Sequence, residues 1–157
     1  MEISITKKKD KDPVISCMRK DGSVTWMRAD SFFVMHDLCH YAVESILEIK
    51  KGFYGMLAAG IDINDFALPK DQRNFELTDE ALLAEHLVNL LVIEHNQGRL
   101  DDFMGTLRSS YSINDGILTA RAVEEQKINE IRIKYGQLLQ QWKSLPIPGS
   151  LLLEFKE

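Results

Sequence analysis

"PVISCMRKDGSVTWMR" (residues 13–28) alternates apolar and polar side chains on either side of Asp21-Gly22. Alternation with period two belongs to half-buried strands. Asp-Gly between two such runs predicts a β-hairpin closed by a type I′ turn, in which both central residues take positive φ. Upstream, "EISITK" (residues 2–7) alternates in the same way, and "PIPGSLLLEFKE" (residues 146–157) sets turn residues before a β-prone run. These segments predict a small antiparallel sheet in which the C-terminal strand returns to the N-terminal ones.

Between the strands the period lengthens to that of a helix. A first helix is expected from Asp30 or Ser31, either of which can cap it, to about Lys51, with Gly52 as its stop. "FYGMLAAG" (53–60) suits a short helix ending at Gly60, and "IDINDFALPKDQRNFE" (61–76) reads as a loop. The next helix is capped by Thr78, with Leu77 and Leu82 placed as a hydrophobic staple. It runs to about Asn96 and stops at Gly98. A shorter helix follows near 100–110. The last helix begins between Ser112 and Thr119 and ends near Lys143, with Ile128, Ile131, Tyr135, Leu138, Trp142 and Leu145 as its apolar stripe. That stripe suits either the core or a seam between the subunits of a homodimer. It lasts less than three clean heptads and Gly136 interrupts it, so core packing is favoured.

The fold class is therefore α+β: a small antiparallel sheet, made of the N-terminal hairpin strands plus the C-terminal strand, with a mostly helical body. At 157 residues the chain is long enough for a single domain over 1–157 that buries roughly 70% of its unfolded surface. Hydrophobic residues make up 45% and charged residues 27%, the balance of a folded globular chain and not of a disordered one.

Composition also narrows the function. The formal charge is −5, and the one basic run, Lys7-Lys8-Lys9, is offset by Asp10 and Asp12, so no nucleic-acid footprint is present. No apolar stretch approaches the roughly eighteen residues of a spanning helix, and the N-terminus lacks a signal-peptide core, so no membrane partner and a cytoplasmic location are expected. Two cysteines, Cys17 and Cys39, are too few for a disulfide framework and read as small buried apolar side chains. Glycine patterns for nucleotide binding and the nucleophile-elbow pattern are absent.

The chemistry concentrates in "FFVMHDLCHYAVESIL" (32–47). At about 100° per residue, His36, His40 and Glu44 stack one turn apart on one face of a helix whose other faces are nearly all apolar. Burying such a row without partners costs several kcal/mol, so something must satisfy it. A divalent metal would: two imidazoles at i and i+4 reach one Zn²⁺, a carboxylate adds a third ligand, and an open position holds water. "HDLCH" resembles the H-E-x-x-H motif of zinc peptidases. That resemblance implies His36 and His40 as ligands and Asp37, one methylene shorter than the motif's glutamate, as the base acting on metal-bound water.

On the following helix, Glu94 falls among Leu83, Leu87 and Leu90 and is a candidate further metal ligand or anchor. Glu85 shares a face with Asn89 and Asn96, and His95 is read as a contact with the helix C-terminal dipole. The competing reading makes Asp37, His40, Glu44 and Glu48 a narrow solvent-facing stripe paired with Lys51, with His36 as a core imidazole.

"HDLCHYAVE" followed by "GFYGMLAAG", after "GSVTW", also resembles a set of small uncharacterised bacterial proteins that share an H-D-L-x-H-[FY]-x-V-E helix. The similarity covers about residues 20–60 and, more loosely, "PGSLLLEF"; it implies strands followed by helices and no particular activity. The resulting expectation is a site for Zn²⁺ or another divalent metal on the His36/His40/Glu44 helix, with hydrolysis of a small-molecule or peptide substrate as its sharpest extension. The alternative is a non-catalytic interaction or small-molecule-binding protein in which the histidine row is structural.

Overall fold

Four strands form one antiparallel sheet: β1 (Glu2–Lys8), β2 (Lys11–Met18), β3 (Val24–Arg28) and β4 (Gly149–Glu154), in the order β3-β2-β1-β4. The computed structural model describes residues 1–114 and 123–157. Alternation sets the register. Ile5 pairs with Ile15 on one side and Leu151 on the other, and Ile3 with Cys17 and Leu153, which brings the apolar side chains to one face. Ile3, Ile5, Ile15, Cys17 and Leu151 are buried there, while Trp26 and Leu152 stand on the outer, exposed face. The α+β arrangement expected from the sequence is the one observed.

The Asp21-Gly22 turn differs from expectation. Gly22 has φ +83°, but Asp21 is not among the residues of positive φ. The amide of Gly22 donates to Arg19 O (3.0 Å) and that of Arg19 to Ser23 O (2.9 Å), the pattern of a type I turn followed by a left-handed glycine. Asp21 instead accepts from the Ser23 amide (2.9 Å) and hydroxyl (2.7 Å), a bond that holds the longer loop. Lys9 and Asp10 form a second tight turn, between β1 and β2, with Asp10 at φ +54°.

Helix α1 (Ser31–Ile46) starts where capping predicts, with the Asp30 carboxylate accepting from the amides of Phe32 and Phe33. It ends earlier than Lys51. Glu48 takes the left-handed conformation at φ +54°, and the amide of Ile49 closes back on Glu44 O at 2.9 Å. Helix α2 (Phe53–Ala58) follows, then two short 3₁₀ turns at Ile63–Ala67 and Lys70–Gln72. Helix α3 (Asp79–Gln97) is capped by Thr78 and terminates at Gly98, φ +97°, as read from the sequence. Helix α4 spans Phe103–Asn114 and α5 spans Glu125–Ser144. The expected start of the last helix falls partly on residues 115–122, which lie outside the described residues.

Helix α1 is the centre of the body, packed against α3, α5 and β2. The α5 stripe joins this core: Ile128, Ile131, Tyr135, Leu138 and Trp142 are buried and Leu145 is partly so, within a single chain. Arg19 ties the hairpin to the α2 region, donating from Nε to Leu57 O (2.6 Å) and from Nη2 to Ile61 O (2.8 Å). Thr25 on β3 accepts the amide of Ile63 at 2.9 Å, which seats the first 3₁₀ turn on the sheet.

Glu94 links α3 to α5. Arg132 donates to both of its carboxylate oxygens at 2.8 Å, and the amide of Leu100 adds a bond at 3.1 Å. Burial would raise the Glu94 pKa, but the bonds from Arg132 and Leu100 bring it below its usual value. Removing the carboxylate takes the counter-ion from Arg132, which keeps its bond to Asn129, and leaves the amide of Leu100 without that acceptor. Glu94→Ala is therefore expected to lower unfolding free energy in urea by about 2–3 kcal/mol. A loss under about 0.5 kcal/mol would mean that the pair behaves as an ordinary surface bridge.

Candidate metal centre

Three helices build the site. α1 supplies His36, Asp37, His40 and Glu44, α3 supplies Glu85, and the N-terminus of α2 holds the Glu44 carboxylate. His36, His40 and Glu85 each offer a ligand atom, and these atoms all lie within 4.8 Å of one another. The imidazole Nε2 atoms both face Glu85: that of His40 is 3.2 Å from Oε2 and that of His36 is 3.7 Å from Oε1. A tetrahedral Zn²⁺ with bonds of about 2.0–2.2 Å keeps its ligand atoms about 3.3–3.6 Å apart, so a group gathered within 4.8 Å needs only small side-chain shifts to hold one.

The other ring nitrogens face acids of their own helix. His40 Nδ1 lies 3.3 Å from Glu44 Oε1, and His36 Nδ1 lies 3.6 Å from Asp37 Oδ1. Glu44 Oε2 accepts the amide of Tyr54 at 3.0 Å, which anchors the carboxylate on the first turn of α2. That anchoring requires Gly52, since a Cβ there would stand 2.5 Å from the Glu44 carboxyl carbon. The histidine helix and the "GFYG" segment are thus two halves of one arrangement.

The structure redistributes the residues singled out in the sequence. Asp37, His40 and Glu44 are 6%, 3% and 1% exposed, which overturns the reading of them as a solvent-facing stripe; only Glu48 is exposed. Glu44 touches the far side of His40 and so is not the third member of the cluster. Glu94 is paired with Arg132 and does not join the histidines either. The carboxylate that does is Glu85, which also accepts from Asn89 Nδ2 at 3.2 Å. Its helical face was visible in the sequence, but its level beside His40 depends on how α3 packs against α1. His95 is exposed and stands edge-on to the Tyr135 ring. Burial pushes the Cys17 thiol up to about 12 and the Cys39 thiol higher still, so both are inert as expected.

Electrostatics follow from the same contacts. Burial disfavours a charged His40, but its bonds to Glu44 and Glu85 outweigh this and raise its pKa to about 9. His36 is raised for the same kind of reason: burial opposes, and Asp37 and Glu85 prevail. Close contact with His36 (3.7 Å) and with His40 (3.2 Å) holds Glu85 far below the usual carboxylate range, while burial raises Glu44. A histidine held above its unfolded value contributes stability that is complete below about pH 6.5 and is lost as pH rises toward about 9. Metal-free protein, kept in chelator, should therefore show a lower urea midpoint at pH 9 than at pH 6.5. An unchanged midpoint would contradict an imidazolium at His40. Metal must displace this proton, so metal affinity should rise with pH, by about tenfold per unit for each proton released.

Beside the cluster lies a cavity of about 630 Å³ between β3, α1, α2, the 3₁₀ segment and α3. His36, Asp37, His40 and Glu85 form its polar side, and phenylalanines from three different segments form much of the rest. Compared with protein-family models, curated proteins and solved structures, the chain matches none. Among the described residues no helix is long and apolar enough to cross a membrane.

Proposed function

We propose that this protein binds one divalent ion, with zinc the first candidate, through Nε2 of His36, Nε2 of His40 and a carboxylate oxygen of Glu85. The ion would present water to a small molecule in the adjoining cavity. The observation that carries this reading is the orientation of the two imidazoles: both Nε2 atoms converge on Glu85 while both Nδ1 atoms face acids. A carboxylate on the far nitrogen of a metal-bound histidine fixes its tautomer and makes it a better donor. Glu44 has that place for His40 and Asp37 for His36. Two nitrogens and one oxygen leave a fourth position for water, as in catalytic zinc sites.

Hydrolysis is the reaction class that fits. Water on zinc ionises near neutral pH, so the site does not need Asp37 as a base, and we assign Asp37 to orienting His36. A second reading rests on the same contacts. Without an ion, two imidazolium groups and three acids already satisfy one another, which suits a purely structural network beside a ligand pocket. Equilibrium dialysis against Zn²⁺, Mn²⁺ and Mg²⁺ followed by elemental analysis separates the two. One tightly held Zn²⁺ per chain, lost in Glu85→Gln, is the expected result, and no retained metal in the wild type would leave the structural network standing.

A further inference from the structure

An arginine lines the same cavity as the histidines. Arg73, on the segment after the second 3₁₀ turn, is half-buried and lines the cavity. Its Nε donates to Leu68 O (2.8 Å) and its Nη2 to Phe66 O (2.9 Å), which fixes the guanidinium in place. Among the described residues, Nη1 makes no hydrogen bond and no carboxylate pairs with the side chain. An arginine held by neutral carbonyls and turned toward an apolar space retains an uncompensated charge and free N–H donors.

Between Arg73 and the metal centre the walls are aromatic. Phe53 packs against the His40 ring at 5.2 Å and against Phe66 at 4.9 Å, and Phe33, 49% exposed, stands at the lining of the same space. Flat faces of this kind favour a flat guest, and the volume lies within the range of small-molecule sites. Charge limits the guest further. Among the described residues, Arg73 is the only lysine or arginine lining the cavity, while Asp37 and Glu85 line it as acids. A single negative charge can be matched at Arg73, and the aromatic walls suit an apolar remainder.

We propose that the cavity receives a planar, largely apolar monocarboxylate whose carboxylate meets Arg73 and whose opposite end reaches the metal centre. The assignment of that opposite end rests on the metal-site reading above; the pairing with Arg73 does not.

The test uses 6-hydroxy-2-naphthoate and its neutral analogue 2-naphthol, titrated by fluorescence into zinc-loaded wild type, chelated wild type and Arg73→Gln. The expected result is at least tenfold tighter binding of the carboxylate than of 2-naphthol by the wild type, with the difference abolished in Arg73→Gln. Arg73→Gln also removes bonds that hold the loop, but a merely loosened cavity would weaken both probes alike and leave their ratio intact. A wild type without the preference, or a variant that keeps it, overturns the proposal. Zinc uptake with no binding of either probe overturns it while leaving the metal site standing. The preference persisting in protein that takes up no zinc would uphold the pairing with Arg73 and refute the metal reading.

Discussion

Zinc at about a hundredfold excess over its dissociation constant is expected to raise the melting temperature of the wild-type protein by about 5–10 °C and to leave His36→Ala nearly unmoved. A ligand that binds only the folded chain at this excess stabilises it by about 2.7 kcal/mol, and for a domain near this size each kcal/mol shifts melting by roughly 2–4 °C. His36 is the suitable ligand to remove because its side chain is 21% exposed, so truncation leaves no sealed cavity. His40 would serve badly: its loss strands Glu44 and Glu85 without their common partner. Differential scanning fluorimetry near pH 8, where His40 surrenders its proton more readily, reads both proteins. A wild-type shift matched by an equal shift in His36→Ala would place the zinc elsewhere.

Glu44→Ala is expected to cost about 3–5 kcal/mol, the largest loss among single substitutions around the site. Three consequences combine. The buried imidazolium of His40 loses one of its two acids, the amide of Tyr54 loses its acceptor, and a sealed space opens beneath α2. Glu44→Gln keeps an acceptor for Tyr54 and separates charge from shape. It should fold well yet hold zinc about 10–100-fold more weakly, because the far nitrogen of His40 no longer faces an anion. Gly52→Ala acts in the same direction without altering any polar group, since its Cβ displaces the Glu44 carboxylate. Urea unfolding and competitive zinc titration of the three variants check this ordering. Wild-type affinity in Glu44→Gln would remove Glu44 from the metal centre.

Much of this architecture was legible in the chain. Alternation around Asp21-Gly22 marked the hairpin, Thr78 and Gly98 bounded α3, and the α5 stripe was correctly read as core. The places where reading failed have specific causes. Asp21 is held by Ser23 through its side chain, a local bond that changes the turn type without changing the dipeptide. Glu48 ends α1 in a conformation usually given to glycine, so nothing in its identity marks the stop.

At the site, helical spacing placed His36, His40 and Glu44 on one face and did so correctly. It could not show that Glu44 lies behind His40 and not beside it, because that depends on α2 folding over the carboxylate. Glu85 became visible only with the packing of α3 on α1. Glu94 was rightly seen as buried, but Arg132, 38 residues away, was the partner that spacing alone could not supply.

Diffraction at the zinc absorption edge from crystals grown with the ion tests the central claim most directly. The expected result is one anomalous peak about 2.0–2.2 Å from Nε2 of His36, Nε2 of His40 and an oxygen of Glu85, with Glu44 still on His40 Nδ1. Zinc bound only at other surface groups, with His40 continuing to bridge Glu44 and Glu85, would contradict it.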